Sequence, residues 1–211
     1  MTLAPPRSPR SGSPGDLPPV RLTVDQYHRM IEEHILEEDT AIELLDGRLV
    51  HKDRAAKGED PMTIGDQHAL IVNRLTLLNV KLDGLGCFVQ IQQPIAVPPF
   101  DEPEPDAAII IGAPDDRAGR KPGASDVLAV IEVADSSLQR DRTTKLRIYA
   151  RAALPLYLII NLPERCIEHY TQPLPKAARY GHTDTLTAKQ TLILPLPKKK
   201  SLKLPVASLL P

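Results

Sequence analysis

The chain has 211 residues, 42% of them hydrophobic and 25% charged, which is material for one globular domain with enough apolar surface to close a core. A formal net charge of −1 excludes a global positive field as the main hold on DNA or an anionic membrane, although a local basic face stays allowed. Two distant cysteines, Cys87 and Cys166, without C-x-x-C or Cys/His ligand spacing argue against a structural zinc site and a disulfide-dense secreted scaffold.

Residues 1–20 are rich in Pro, Ser and Gly and predict a disordered tail; Arg7 and Arg10 are not followed by the apolar stretch of a signal peptide. Thr23 is a good N-cap, and the apolar spacing of Tyr27, Met30, Ile31 and Ile35 predicts a helix. Asp46-Gly47 between the apolar runs of residues 42–50 predicts a hairpin, because a type I′ turn needs positive φ twice. A polar loop from about 51 to 65 leads into a second helix beginning near His68, with Ile71, Leu75 and Leu78 on one stripe. Residues 88–93 alternate like a strand, with Gln90 and Gln92 on one face, where they line a cleft or simply form a polar outer side.

Two buried strands follow, 106–111 with Asp106 at its leading end and 127–133 with Glu132 near its trailing end. Residues from Arg142 to about Ala153 read as a helix that Pro155 stops, and 156–161 as another buried strand. That strand–helix–strand unit predicts a right-handed crossover between parallel strands. A last strand over 166–171 is expected at the sheet edge, and the Lys- and Pro-rich residues 196–211 as a solvated C-terminal segment. No apolar run approaches the roughly 20 residues of a bilayer span. The expectation is a cytoplasmic α/β domain over residues 21–195, two or three layers around a mixed sheet, with no membrane partner.

If the strands carrying Asp106 and Glu132 are antiparallel neighbours, the two carboxylates meet at one edge of the sheet. Juxtaposed carboxylates repel unless a proton or cation intervenes, and a hard cation such as Mg²⁺ is the natural resolution; the bland reading has both facing solvent at the rim. Asp141, Lys145 and Tyr149, spaced i, i+4, i+8, share a helix face near that edge. Lys145 can reach the carboxylates, where it would orient a water or offset phosphoryl charge. Asp141 reads better as the helix N-cap, and Tyr149 as a core residue with its hydroxyl at the pocket wall.

Residues 131–137 (IEVADSS), 141–150 (DRTTKLRIYA) and 154–162 (LPLYLIINL, against a family "GIPEYWIVN") resemble the Uma-type restriction endonuclease family of the PD-(D/E)xK nuclease superfamily. So do residues 42–50 (against "YELIDGELV") and 102–106 (EPEPD, against "SEPEPD"). The resemblance spans about residues 22–180. It implies a restriction-endonuclease-like mixed β-sheet core flanked by helices in a single domain. It also implies Asp106 and Glu132 as Mg²⁺ ligands (Mn²⁺ in its place), Glu43 as an added carboxylate, and DNA as substrate. The superfamily lysine two residues after the glutamate is Ala134 here, so the resemblance implies that Lys145 has taken its place. Many such nucleases act as homodimers, and a homodimer is expected here.

His68 matches the family's helix pattern but reads as a cap or surface residue. Arg140 and Arg142 flank the proposed site, where phosphate contacts would be useful. The competing expectation is an inert module that keeps the nuclease fold for DNA or protein binding, or a structural dimer unit paired through its sheet edge.

Overall fold

The computed structural model describes residues 19–37, 41–52 and 65–211. The expected N-terminal tail and nearly all of the expected 51–65 loop lie outside the described residues.

Helix α1, Val24–Glu32, starts where its capping box dictates: the Thr23 hydroxyl accepts from the Gln26 N–H while the Gln26 side chain accepts from the Thr23 N–H. Strands β1, Ile42–Leu45, and β2, Arg48–His51, form the expected hairpin. Its turn residues Asp46 and Gly47 have φ of 50° and 73°. Gly47 is required twice over, since a Cβ there would lie 2.6 Å from the Arg21 Cβ. The pairing places Glu43, Leu45, Arg48 and Val50 on one hairpin face, because Glu43 opposes Val50 and Leu45 opposes Arg48.

The second helix breaks at Leu77 into α2, Asp66–Thr76, and α3, Leu78–Leu82, and it buries the predicted stripe of Ile71, Leu75 and Leu78. A six-stranded mixed sheet follows in the order β3–β4–β5–β6–β7–β8. Its strands are β3, Cys87–Ile91; β4, Ala107–Ile111; β5, Val127–Ala134; β6, Leu156–Asn161; β7, Cys166–Leu174; and β8, Arg179–Thr187. Only β5 and β6 are parallel, joined by the predicted crossover helix. That helix, α4, is continuous through Leu138–Arg140, a π-helical turn at Asp141–Lys145, and Leu146–Arg151.

Alternation along β5 builds two cores. Ala129, Ile131 and Val133 pack with α2 and α3, while Val130 and Ala134 pack with Ile148, Tyr149 and Ala150 of α4. The domain is therefore three-layered, a mixed sheet with helices on both faces, and Glu132 falls on the α4 side. Among the described residues no helix is long and apolar enough to cross a membrane. Cys87 and Cys166 are free thiols, both buried.

Two expectations need correction. The strand expected at the edge, β7, is interior, because β8 pairs outside it. The Lys- and Pro-rich end does not trail into solvent: β9, Thr191–Pro195, and β10, Ser201–Pro205, form a hairpin. Its leucines Leu192, Leu194 and Leu204, with Val206 and Leu209 beyond, complete the α2-side core, while the lysines stay outside.

The loop into β5 is pinned by Asp126. Arg120 and Arg117 reach its carboxylate at 2.7 and 2.6 Å, and the Gly123 N–H donates to it at 2.9 Å. The Arg120 hydrogen bond, with the Gly123 N–H and the Arg117 charge, holds its pKa down at about 2. Because the folded-state pKa lies below the unfolded one, the stabilisation is complete above about pH 4 and disappears as pH falls toward about 2. Asp126→Asn is expected to flatten the acid limb of a plot of Tm against pH, measured by thermal melts across that window. An unchanged acid limb would contradict it.

Candidate active site

The antiparallel register of β4 and β5 pairs Ala107 with Ile131, so Asp106 and Glu132, one step further along each strand, flank the same sheet end. They open onto a cavity of roughly 560 Å³. Seven carboxylates line it, those of Glu43, Asp66, Glu104, Asp106, Glu132, Asp135 and Asp141, against the three cations Lys52, Arg140 and Lys145. All four residues expected at the site, Glu43, Asp106, Glu132 and Lys145, line this one cavity.

Glu132 and Lys145 are both buried. The Lys145 ammonium donates to Glu132 Oε1 at 3.0 Å and sits 3.4 Å from Glu43 Oε2; the Tyr149 hydroxyl donates to the same Glu132 oxygen at 2.7 Å. The i, i+4 spacing of Lys145 and Tyr149 thus delivers two donors to one carboxylate. Lys145 ends the π-helical turn, a geometry that is rare in proteins and concentrated at functional sites. Glu43 is held from the hairpin, its Oε2 accepting from the Glu104 N–H at 3.1 Å and its Oε1 lying 3.7 Å from Arg140.

Burial pushes the Glu132 carboxyl well above the ordinary carboxylate range, and the charges of Asp141, Asp106 and Glu43 push the same way against Lys145. Burial pulls Lys145 down, yet the three carboxylates Glu132, Glu43 and Asp141 outweigh it and hold its pKa above the ordinary lysine value. Asp106 behaves oppositely to Glu132. Burial raises it, but His68, the Val133 N–H and Lys145 together bring it below the ordinary range. Its Oδ2 accepts from the Val133 N–H at 2.8 Å; His68 Nε2 lies 3.1 Å and the Gln92 amide 3.3 Å from Oδ1. One carboxyl kept charged beside another driven toward protonation marks a site short of positive charge.

Among the described residues no three His, Cys, Asp or Glu side chains converge closely enough to enclose a metal ion. Mg²⁺ does not require that, since it keeps several waters and is held by one or two carboxylates together with substrate phosphate. The donor set fits: all candidates are hard oxygens, and Glu132 Oε2 accepts no hydrogen bond among the described residues.

Several placements differ from expectation. Asp141 is no N-cap: α4 begins three residues earlier, and Asp141 lies buried at the cavity wall, accepting from the Ser137 hydroxyl at 2.6 Å. Gln92 lines the cavity, whereas the buried Gln90 amide turns to the carbonyls of Gln93 and Pro94. Arg140 lines the cavity as expected, but Arg142 is committed elsewhere, forking onto Glu168 at 2.7 and 3.0 Å. His68, expected as a cap or surface group, is a cavity residue on Asp106, with its Nδ1 buried and unpartnered among the described residues. The match to the family's helix pattern was the one signal that could have found it.

A family model described as "Uma2: Putative restriction endonuclease" matches residues 24–207. The crystal structure of "a putative nuclease belonging to DUF820" from Anabaena variabilis ATCC 29413 is similar in fold. The TM-score is 0.63 at 16% sequence identity, over 89% of this chain and 97% of that one. No curated protein matches the chain. At that identity the structural likeness speaks for the fold, a mixed-sheet α/β domain of the kind the sequence led us to expect.

Proposed function

The chain belongs to the Uma2 family, and from that membership we propose that it is a Mg²⁺-dependent endonuclease, with Mn²⁺ able to substitute, that hydrolyses phosphodiester bonds in DNA. The observation that carries the reading is the Lys145 ammonium bridging Glu132 and Glu43 in a cavity that also holds Asp106. Asp106 and Glu132 would hold the cation, with Glu43 beside them. When bound, the ion would polarise the scissile phosphate and lower the pKa of a water. Lys145 has three donors, of which Glu132 and Glu43 engage two; the third is available to fix the attacking water or to offset charge on a phosphoryl oxygen. Tyr149 and Val133 N–H hold the two carboxylates in place, so their orientation is set before substrate arrives.

One observation favours a second reading, a nuclease-fold module that binds DNA or protein without cutting. Glu132 Oε1 is already satisfied by Lys145 and Tyr149, as it would be in a site that has lost its ion. Calorimetric titration of Mg²⁺ and Mn²⁺ into the wild type and Asp106→Ala, alone and with duplex DNA, separates the two. Metal binding that disappears in the variant, together with cleavage that EDTA stops, is the expected result. DNA binding with neither metal binding nor cleavage would establish the inert module instead.

A further inference from the structure

Beside the carboxylate cavity lies a second cleft, also of roughly 560 Å³, with the opposite charge. Four arginines line it, Arg21, Arg48, Arg140 and Arg147, against the single carboxylate of Asp46. The two chambers share one residue, Arg140. Two elements build both. The hairpin face that sends Glu43 to the carboxylate cavity sends Arg48 to the cleft, since Arg48 opposes Leu45 two residues along β1 from Glu43. On α4, Lys145 serves the cavity, while Arg140, Thr144 and Arg147, spaced i, i+4, i+7, serve the cleft.

The arginines are unequally engaged. Arg21 and Arg147 lie 3.8 and 3.2 Å from Asp46, which also takes Arg151 at 2.6 Å, so this carboxylate is surrounded by positive charge. Arg48 is exposed, and its side chain has no hydrogen-bond or ion-pair partner among the described residues. Arg140 is held from the other side, 3.7 Å from Glu43 and donating to the His51 carbonyl at 3.1 Å. A chain with net charge −1 thus lines one concave place with four guanidinium groups against one carboxylate, beside the carboxylate cavity. Guanidinium forks match phosphate oxygens, and a local basic track beside a cation-demanding cavity is the charge pattern a phosphodiester strand needs.

We propose that the Arg21–Arg48–Arg140–Arg147 cleft is a binding track for the sugar-phosphate backbone of the substrate, adjoining the carboxylate cavity. The identification of the polyanion as DNA rests on the nuclease reading above. Because the two chambers share Arg140, the track takes phosphates that neighbour the one presented to Asp106 and Glu132. These contacts fix register and carry no base information, so binding through them is independent of sequence.

The test is the affinity for a short DNA duplex, read by fluorescence anisotropy across a range of salt, with Ca²⁺ in place of Mg²⁺. Each phosphate contact contributes about 0.9 to the slope of log K against log salt. Arg48→Ala is therefore expected to reduce that slope by about 0.9 and to weaken binding about eightfold at roughly 0.1 M salt. Adding Arg147→Ala doubles the slope change and brings the loss to roughly 60-fold. Arg48→Lys keeps the slope, and Lys203→Ala, on the exposed side of β10, changes nothing. Arg48 is exposed and has no side-chain partner to lose among the described residues, so its variant is expected to fold; thermal melts check both arginine variants. Slopes unchanged in both arginine variants, or no binding of duplex by the wild type, overturn the track. Cleavage with unchanged slopes removes the track and leaves the nuclease reading standing; reduced slopes without cleavage in any divalent ion do the reverse.

Discussion

Lys145→Met is expected to lower the free energy of unfolding by about 3–5 kcal/mol, the usual consequence of deleting one partner of a buried ion pair. Lys145 is buried, and its ammonium is the closest cation to Glu132 Oε1 and Glu43 Oε2 together. Methionine fills similar volume, so the effect comes from two carboxylates left in a low-dielectric wall rather than from a cavity. The loss should depend on pH, and its sign follows from Glu132. The folded-state pKa of Glu132 is raised by burial, and without Lys145 it rises further. Between the unfolded and folded values the native state binds the extra proton, so stability is higher on the acid side and falls as pH rises through the folded pKa. Urea unfolding of Lys145→Met should therefore show a midpoint that recovers in mild acid. The double variant Lys145→Met/Glu132→Gln should regain part of the loss, since the unpaired charge is gone. A single variant that unfolds at the wild-type urea midpoint would show that the ammonium is not what holds these carboxylates.

The features that were legible in the sequence are those whose causes are local. Thr23 with Gln26, Asp46-Gly47, and the apolar runs of β4, β5 and β6 each carry their own capping, turn or burial signal. Reading Asp106 and Glu132 as neighbours needed only the assumption of antiparallel pairing, which the register satisfies. What the sequence hid is determined by partners far along the chain. β8 buries little beyond Tyr180, so an edge strand with a solvated face gave no apolar pattern to read. In β9 and β10 the leucines alternate as a strand should, but prolines and lysines between them resemble a tail until a core is found beneath. His68 meets Asp106 across 38 positions, and beyond the family's helix pattern nothing near either announces it. Arg142 is close in sequence to the site, but two residues on from Arg140 it faces Glu168 on β7 instead. The π-helical turn at Asp141–Lys145, which sets where Lys145 points, has no sequence signature at all.

Asp106→Asn and Glu132→Gln are each expected to reduce Mg²⁺-dependent cleavage about 10³-fold, with the double variant hardly slower than either single one. Both replacements keep volume and hydrogen-bond reach, so Val133 N–H still meets an acceptor oxygen at 106 and Lys145 one at 132. What each removes is a negative charge. If the two carboxylates hold one cation, either loss forfeits the same transition-state stabilisation, of which roughly 4 kcal/mol corresponds to 10³ in rate. Groups that act as a unit are non-additive for this reason, and the non-additivity is the diagnostic feature. Independent roles would instead give a double variant near 10⁶-fold slower. The stability readout separates folding from chemistry: in Glu132→Gln the Lys145 ammonium keeps the charges of Glu43 and Asp141, so this variant should lose less stability than Lys145→Met. Loss of cleavage with stability retained would tie Glu132 to the chemistry. Cleavage that persists in the double variant would remove these carboxylates from the mechanism, and with them the reason the cavity gathers so much negative charge.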